Sequence, residues 1–247
     1  MKTLPNYISE KLIINKEYKD VAYDDICYYI ATYPEGQYIN EVNIQKEYFD
    51  DKLAYEEAKA NNSSYAWNKY INEYNLFIEY SSQINRGLVW ADQDFKSYHH
   101  FYNPKEERGI YGDGDNALTV ARSYYLKALK YFTLEDYDNS MFYFGAMCHI
   151  IQDLTIPQHA KGKLFDNHRQ FELYVKENYR KINRFKCREK PIILQSVTDY
   201  ANYNSLAALK IDYIYNNIVD LNTKFYLIAL KSITLAQKTS AGCMIMF

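Results

Sequence analysis

The sequence predicts an all-α protein, and two observations carry that expectation. Glycine and proline are sparse, 8 and 5 in 247 residues, which disfavours a sandwich or barrel that needs a turn every few residues. Apolar residues recur at helical spacing in several separate stretches.

The stretches follow in order. In residues 117–132, ALTVARSYYLKALKYF, the side chains of Leu118, Ala121, Tyr125, Ala128, Leu129 and Phe132 form one stripe. Residues 140–153, SMFYFGAMCHIIQD, follow capping residues in DYDNS. Residues 168–184 and 205–239 carry the same period. In the last of these, Leu227, Leu230, Ile233, Thr234 and Ala236 to Gln237 alternate with polar positions, and Gly242 reads as the stop. Residues 85–116, NRGLVWADQDFKSYHHFYNPKEERGIYGDGDN, mix Gly, Asp, Asn and Pro with aromatics. They read as a long structured loop, and such loops carry function. The first 80 residues are helical in character and hold no motif. No repeat and no Pro/Gly/Ser-rich linker divides the chain, so a single domain over 1–247 is expected, long enough to bury roughly three quarters of its unfolded surface.

Charge narrows the partners. The 29 basic and 31 acidic residues are well mixed, for a net charge of −2. No basic stripe is present, so duplex nucleic acid is not an expected partner; a nucleotide or a single strand held through metals stays open. No run approaches the roughly 18 apolar residues of a membrane-spanning helix, and the opening residues lack the apolar stretch of a signal peptide. Cys27, Cys148, Cys187 and Cys243 are widely spaced without a CxxC pair, and are expected reduced and mostly buried. The 28 tyrosines reflect either a codon bias toward Tyr, Asn, Ile and Lys or a fold with amphipathic aromatics at its wet boundaries.

Chemistry concentrates in the five histidines, His99, His100, His149, His159 and His168. His149 and Asp153 stand four apart, on one face of a helix. His168 and Glu172 repeat the spacing. Between them, Pro157 is expected to end the first helix and leave His159 on the connection. Zinc takes imidazole nitrogen and carboxylate oxygen, and catalytic zinc sites keep an open position. Two such pairs with loop histidines nearby suit two or more metals in a cleft. Satisfied buried histidines or exposed helix pairs would explain either pair alone.

HIIQDLTIPQHA followed by DNHRQFELYV resembles the zinc-dependent phospholipase C family, which includes the bacterial phosphatidylcholine-hydrolysing enzymes and the catalytic domain of the bacterial alpha-toxins. His149, Asp153, Pro157, His159 and Ala160 fit that family's order of His, Asp, Pro, His and a small residue. His168 and Glu172 match its next His-x-x-x-Glu pair. His100, Phe101, Tyr102, Asn103 and Pro104 fit its His-Phe-aromatic-Asp/Asn-Pro loop, and Asp92 is the best counterpart of an aspartate before that loop. LAQKTSAGCMIMF is similar to the last helix of many members. The resemblance spans roughly 85–247, with 1–84 divergent. Ile150, Gln152 and Gly162 depart from the pattern at positions that bear on tuning more than on ligation.

The resemblance implies a compact multi-helix bundle of the phospholipase C/nuclease type. It implies one zinc on His100, His149 and Asp153, with Asp153 free to bridge toward a neighbouring metal, and a second zinc on His159, His168 and Glu172. Asp92 is implied as the general base or as the group that orients the attacking water, with Asp94 as its rival. Tyr98, Phe101 and Tyr102 would line a headgroup pocket, since ring faces attract a quaternary ammonium, or else pack beneath the loop. His99 is taken as a neighbour and not a ligand. The Asp113–Asp115 stretch is read as a turn, because it lacks the further ligands of a calcium loop. The implied reaction converts phospholipids such as phosphatidylcholine to diacylglycerol and a phosphorylated headgroup. Its partners would be a phospholipid and, transiently, a membrane surface. A single-strand nuclease-like phosphodiesterase and a non-catalytic relative are the alternatives. The family's third zinc uses the mature amino terminus and an early histidine, yet no histidine precedes His99. A two-zinc site, a different true start or an inactive relative would each account for that. The family is exported, so secretion is implied, without a signal peptide in these opening residues.

Overall fold

The computed structural model describes residues 75–110, 112, 114–162, 167–187 and 189–247, leaving aside the side chains of Asp94, Phe95 and Ser97. Cys27, Met1, Asp113 and the whole segment through residue 74 lie outside the described residues, as does the side chain of Asp94. Among the described residues there is no β-strand, only two isolated bridges, Asn103 with Arg108 and Gly109 with Gly112. The expectation of an all-α protein holds.

Helix α1 is Ser81–Ala91, and its buried residues Ile84, Gly87, Leu88 and Ala91 form an i, i+3, i+4, i+7 stripe. A 3-10 turn, Asp94–His99, follows. Helix α2, Ala117–Thr133, starts at a capping box in which Asn116 and Thr119 bond each other's backbone. Helix α3, Tyr137–Asp153, starts where the Asp136 carboxylate accepts from the Asn139 N–H at 3.2 Å. From Phe144 to Asp153 every residue of α3 is buried, the mark of a central helix. Helix α4 is the short Pro157–Lys161, α5 is His168–Asn178, and a second 3-10 turn is Asn183–Phe185. Helices α6, Val197–Tyr215, and α7, Leu221–Met246, complete the fold, capped by Ser196 and Asp220.

The sequence reading and the structure part at six places. Residues 85–91 belong to α1, so the loop expected over 85–116 starts only after Asp92. The helix expected over 168–184 ends at Asn178. Residues 205–239 fall in two helices, with 216–220 between them. Gly242 does not stop α7; it lies inside the helix, where a Cβ would collide with the carbonyl of Ile192 and the hydroxyl of Tyr200. Pro157 does not end α3, which stops at Asp153; it occupies the first turn of α4, where a missing N–H costs nothing. The α2 stripe is also rotated: Ala117, Ala121, Tyr124 and Ala128 are buried, while Phe132 is exposed. Cys148, Cys187 and Cys243 are buried, as expected of them.

Among the described residues, two apolar clusters hold the helices. One joins α1, α2 and α3 to the start of α6 and the end of α7; the other joins α5 and the second 3-10 turn to α6 and α7. The chain passes from the first to the second between Leu154 and Ile156, directly after Asp153. The histidines and acids collect at this seam.

Candidate metal centre

Each side chain of the centre is placed by a helix end or by a turn fixed to one. α1 and α3 cross so closely that a Cβ on Gly87 would strike the carbonyl of Phe142, and one on Gly145 the carbonyl of Ile84. This contact brings the end of α1, with Asp92 at its C-cap, beside the last turn of α3, with His149 and Asp153. An aspartate at a helix C-terminus opposes the helix dipole, at about 0.3–1 kcal/mol each. Two such ends side by side make a negative region that favours a cation.

Two groups of ligand-type side chains form among the described residues: Asp92, His100 and His149, and His159, His168 and Glu172. In each group, one ligand atom per residue lies within 4.8 Å of the others. In the first, His149 Nε2 is 3.3 Å from His100 Nδ1 and 3.7 Å from Asp92 Oδ1. Asp153 Oδ2 lies 2.9 Å from His100 Nδ1, 3.2 Å from His149 Nε2 and 3.9 Å from His159 Nδ1. In the second, His159 Nε2 is 2.9 Å from His168 Nε2, which is 3.3 Å from Glu172 Oε1. Tetrahedral nitrogen and oxygen ligands of zinc, each about 2.0–2.2 Å from the ion, stand about 3.3–3.6 Å apart. The separations within the two donor sets, 2.9–3.7 Å, bracket that spacing, and their chemistry suits that ion.

The protonation of His159 and His168 fits it as well. The His100 carbonyl can only accept, so the 2.9 Å contact fixes the proton of His159 on Nδ1. Burial holds the His159 pKa down at about 3, with His168 adding to the effect against the pull of Asp153. The ring is therefore neutral and presents its Nε2 lone pair to the group. His168 is also held below its ordinary value by burial. Burial is the largest influence on Asp153 and raises its pKa, but His149, His159 and the bonds from His100 and His149 together bring it well below the usual range. Burial likewise pulls His149 down, yet Asp153, Asp92 and Glu172 outweigh it and leave the ring raised. Burial, then the charges of Asp153 and Asp92, push Glu172 up to about 7. Asp92 is raised chiefly by burial. A carboxylate crowded enough to hold its proton near neutrality, as Glu172 is, is relieved by a divalent cation.

The floor of the centre is closed and its rim open. The side chains of His100 and His149 are 1% and 0% exposed, whereas Asp92 and Glu172 are each 33% exposed.

The structure thus brings together all seven residues expected as ligands or base. It differs over their grouping. Asp92, expected as a base apart from the ligands, stands within the donor set of His100 and His149, while Asp153 touches both of those rings and reaches toward His159. His159 is on α4 and not on a connection. Of the three aromatics expected to line a headgroup pocket, Tyr98 alone is exposed, at 39%. Tyr102 is buried, with its hydroxyl donating to Asn202 Oδ1 at 3.0 Å. Phe101 is buried flat against His159, its ring centroid 4.6 Å away. Both are packed against other side chains of the described residues. His99 Nδ1 sits 3.1 Å from the carbonyl of Asp115, outside both groups. The stack of Phe101 on His159 went unforeseen, because nothing in the sequence pairs two rings so far apart in the chain.

Known proteins bear on this arrangement. The family described as zinc dependent phospholipase C matches residues 48–227. That span begins well before the resemblance drawn from residue 85, and it leaves LAQKTSAGCMIMF beyond its end. Among solved structures, the alpha toxin from Clostridium absonum is similar, at 17% identity and a TM-score of 0.60, over 70% of this chain and 54% of that one. The alpha-toxin of Clostridium perfringens, isolated from avian strain SWCP, is similar at 16% identity and a TM-score of 0.58, again over 70% and 54%. The chain therefore spans about half the length of these toxins and shares their fold. No curated protein matches. With the family matched over well more than half of its length, this chain belongs to the zinc-dependent phospholipase C family.

Proposed function

We propose that this chain is a zinc-dependent phosphodiester hydrolase that cleaves phospholipids such as phosphatidylcholine to diacylglycerol and a phosphorylated headgroup. One observation carries the reading: seven imidazole and carboxylate side chains from four helices and one loop converge at zinc-ligand spacing with one open side. Membership of the family supports it.

In this reading His100, His149, Asp92 and Asp153 hold one ion, and His159, His168 and Glu172 hold another. Zinc supplies Lewis acidity, which offsets charge on phosphate oxygens and makes water acidic near neutral pH. The chain's own residues do the rest. Asp153, its carboxyl held ionised among three histidines, links the two groups. His159 keeps its proton on Nδ1, against the His100 carbonyl, through the whole cycle. Asp92, on the open rim, orients the attacking water, and Glu172 shares that rim. The buried walls exclude bulk water from the floor. The substrate is met at a membrane surface and the protein acts outside the cell, as the family's toxins suggest.

The test is hydrolysis by the purified, zinc-loaded chain. Release of phosphorylated headgroup from phosphatidylcholine micelles is expected, and not release of nucleotides from single-stranded DNA. Mutation of an outer-shell partner costs about 10–100-fold, so loss of the ligand in His149→Ala should cost more than about 100-fold. A variant as active as the parent would sink the reading, and cleavage of DNA alone would move it to a nuclease.

A further inference from the structure

The segment His100–Tyr102 grips His159 at three points. His159 Nδ1–H donates to the His100 carbonyl at 2.9 Å. The Tyr102 N–H donates to the His159 carbonyl at 3.1 Å. Between these bonds, the ring of Phe101 lies on the imidazole with 5° between their planes and 4.6 Å between centroids. The same ring meets His168 edge-on, 6.4 Å away at 73°. Phe101 is fully buried, so it cannot swing aside.

The three contacts do different things. The Nδ1 bond fixes one point of the imidazole and leaves its tilt free. A flat stack removes tilt but leaves sliding free. Together they leave Nε2 one direction, toward His168 Nε2 at 2.9 Å. His149 has no matching bond at Nδ1, which is buried without a hydrogen-bond partner among the described residues.

We propose that Phe101 is a positioning residue of the metal centre: it holds the imidazole plane of His159 so that Nε2 points into the His159–His168–Glu172 group. The inference rests on reading those three residues as metal ligands. Its strap begins at His100, a member of the other group, so the two groups share one support.

Metal binding tests it without reference to turnover. Zinc is titrated into the full chain against a chromophoric chelator, and the cobalt-substituted protein is followed by visible absorption. Phe101→Leu keeps an apolar side chain but loses the flat face. It should weaken one zinc equivalent by about 10-fold or more, the usual effect of losing a partner that orients a ligand, and it should alter the cobalt bands. Phe101→Tyr keeps the face and should restore both. Phe185→Leu, at another buried phenylalanine that packs on Tyr179 and Tyr226, should lower the melting temperature and leave zinc affinity and cobalt bands unchanged. His159→Ala should remove one tight equivalent. If it does not, the ligand reading fails and the inference with it. If His159→Ala loses its equivalent while Phe101→Leu binds zinc with parental affinity and spectrum, positioning by Phe101 is overturned and the ligand reading stands. Should Phe101→Leu fail to fold, Phe101→Met is judged by the same two readouts.

Discussion

His159 and Glu172 sit in one group yet respond to the protein in opposite ways. Burial depresses the His159 pKa from an ordinary 6.5 to about 3, and raises that of Glu172 from 4.5 to about 7. Between about pH 3 and 6.5 the unfolded chain binds more protons at His159 than the folded chain does. Stability from this residue therefore falls as pH falls through that window. Between 4.5 and about 7 the folded chain binds more protons at Glu172, so its contribution is present below 4.5 and lost as pH rises toward 7. In the metal-free protein the two trends oppose each other from 4.5 to 6.5. Glu172→Gln removes one of them. Urea midpoints in chelator should rise more steeply with pH across that range in the variant than in the parent; equal slopes would contradict the raised Glu172.

At the scale of elements, the crossing of α1 on α3 sets the distance from Asp92 to His149. The glycines at the crossing, Gly87 and Gly145, bring backbone against backbone. Gly145→Ala forces the helices apart, and overpacking of this kind costs about 1–3 kcal/mol. The displaced end of α1 carries Asp92, now 3.7 Å from His149 Nε2. The expected outcome is a lower melting temperature together with weaker zinc binding. Gly114→Ala, at an exposed glycine with open space around its Cβ position, should change neither. Helix ends carry the same logic. Asp92 and Asp153 stand at the negative ends of their helices, where a carboxylate is tolerated if a cation is to come.

At the scale of the whole molecule, the centre lies on the seam between the two apolar clusters, with His149 on α3, His159 on α4 and His168 on α5. An ion bound there ties one cluster to the other. Zinc at 100 times its Kd should add about 2.7 kcal/mol, and a domain of this size gains about 2–4 °C in Tm per kcal/mol. Calorimetry should show the zinc-loaded chain melting several degrees higher than the chelator-treated chain. No difference would mean that the two groups bind no zinc in the folded state.

The sequence by itself determined the helical class, because apolar period and scarcity of Gly and Pro are local properties. It also determined the ligand types and the two His-x-x-x-acid pairs, since residues four apart on a helix share a face whatever surrounds them. The close-packed glycines were not legible, and Gly242 was mistaken for a stop. A glycine that ends a helix and one that admits a neighbouring backbone look alike until the neighbour is in place. Pro157 was ambiguous for a similar reason: proline marks a boundary but does not say on which side of it the helix lies. Only the tertiary structure decided that Asp92 joins His100 and His149, that Asp153 faces histidines of both groups, and that Phe101 lies flat on His159. Those facts depend on where chain segments far apart in sequence meet, and packing, not local propensity, chooses that meeting.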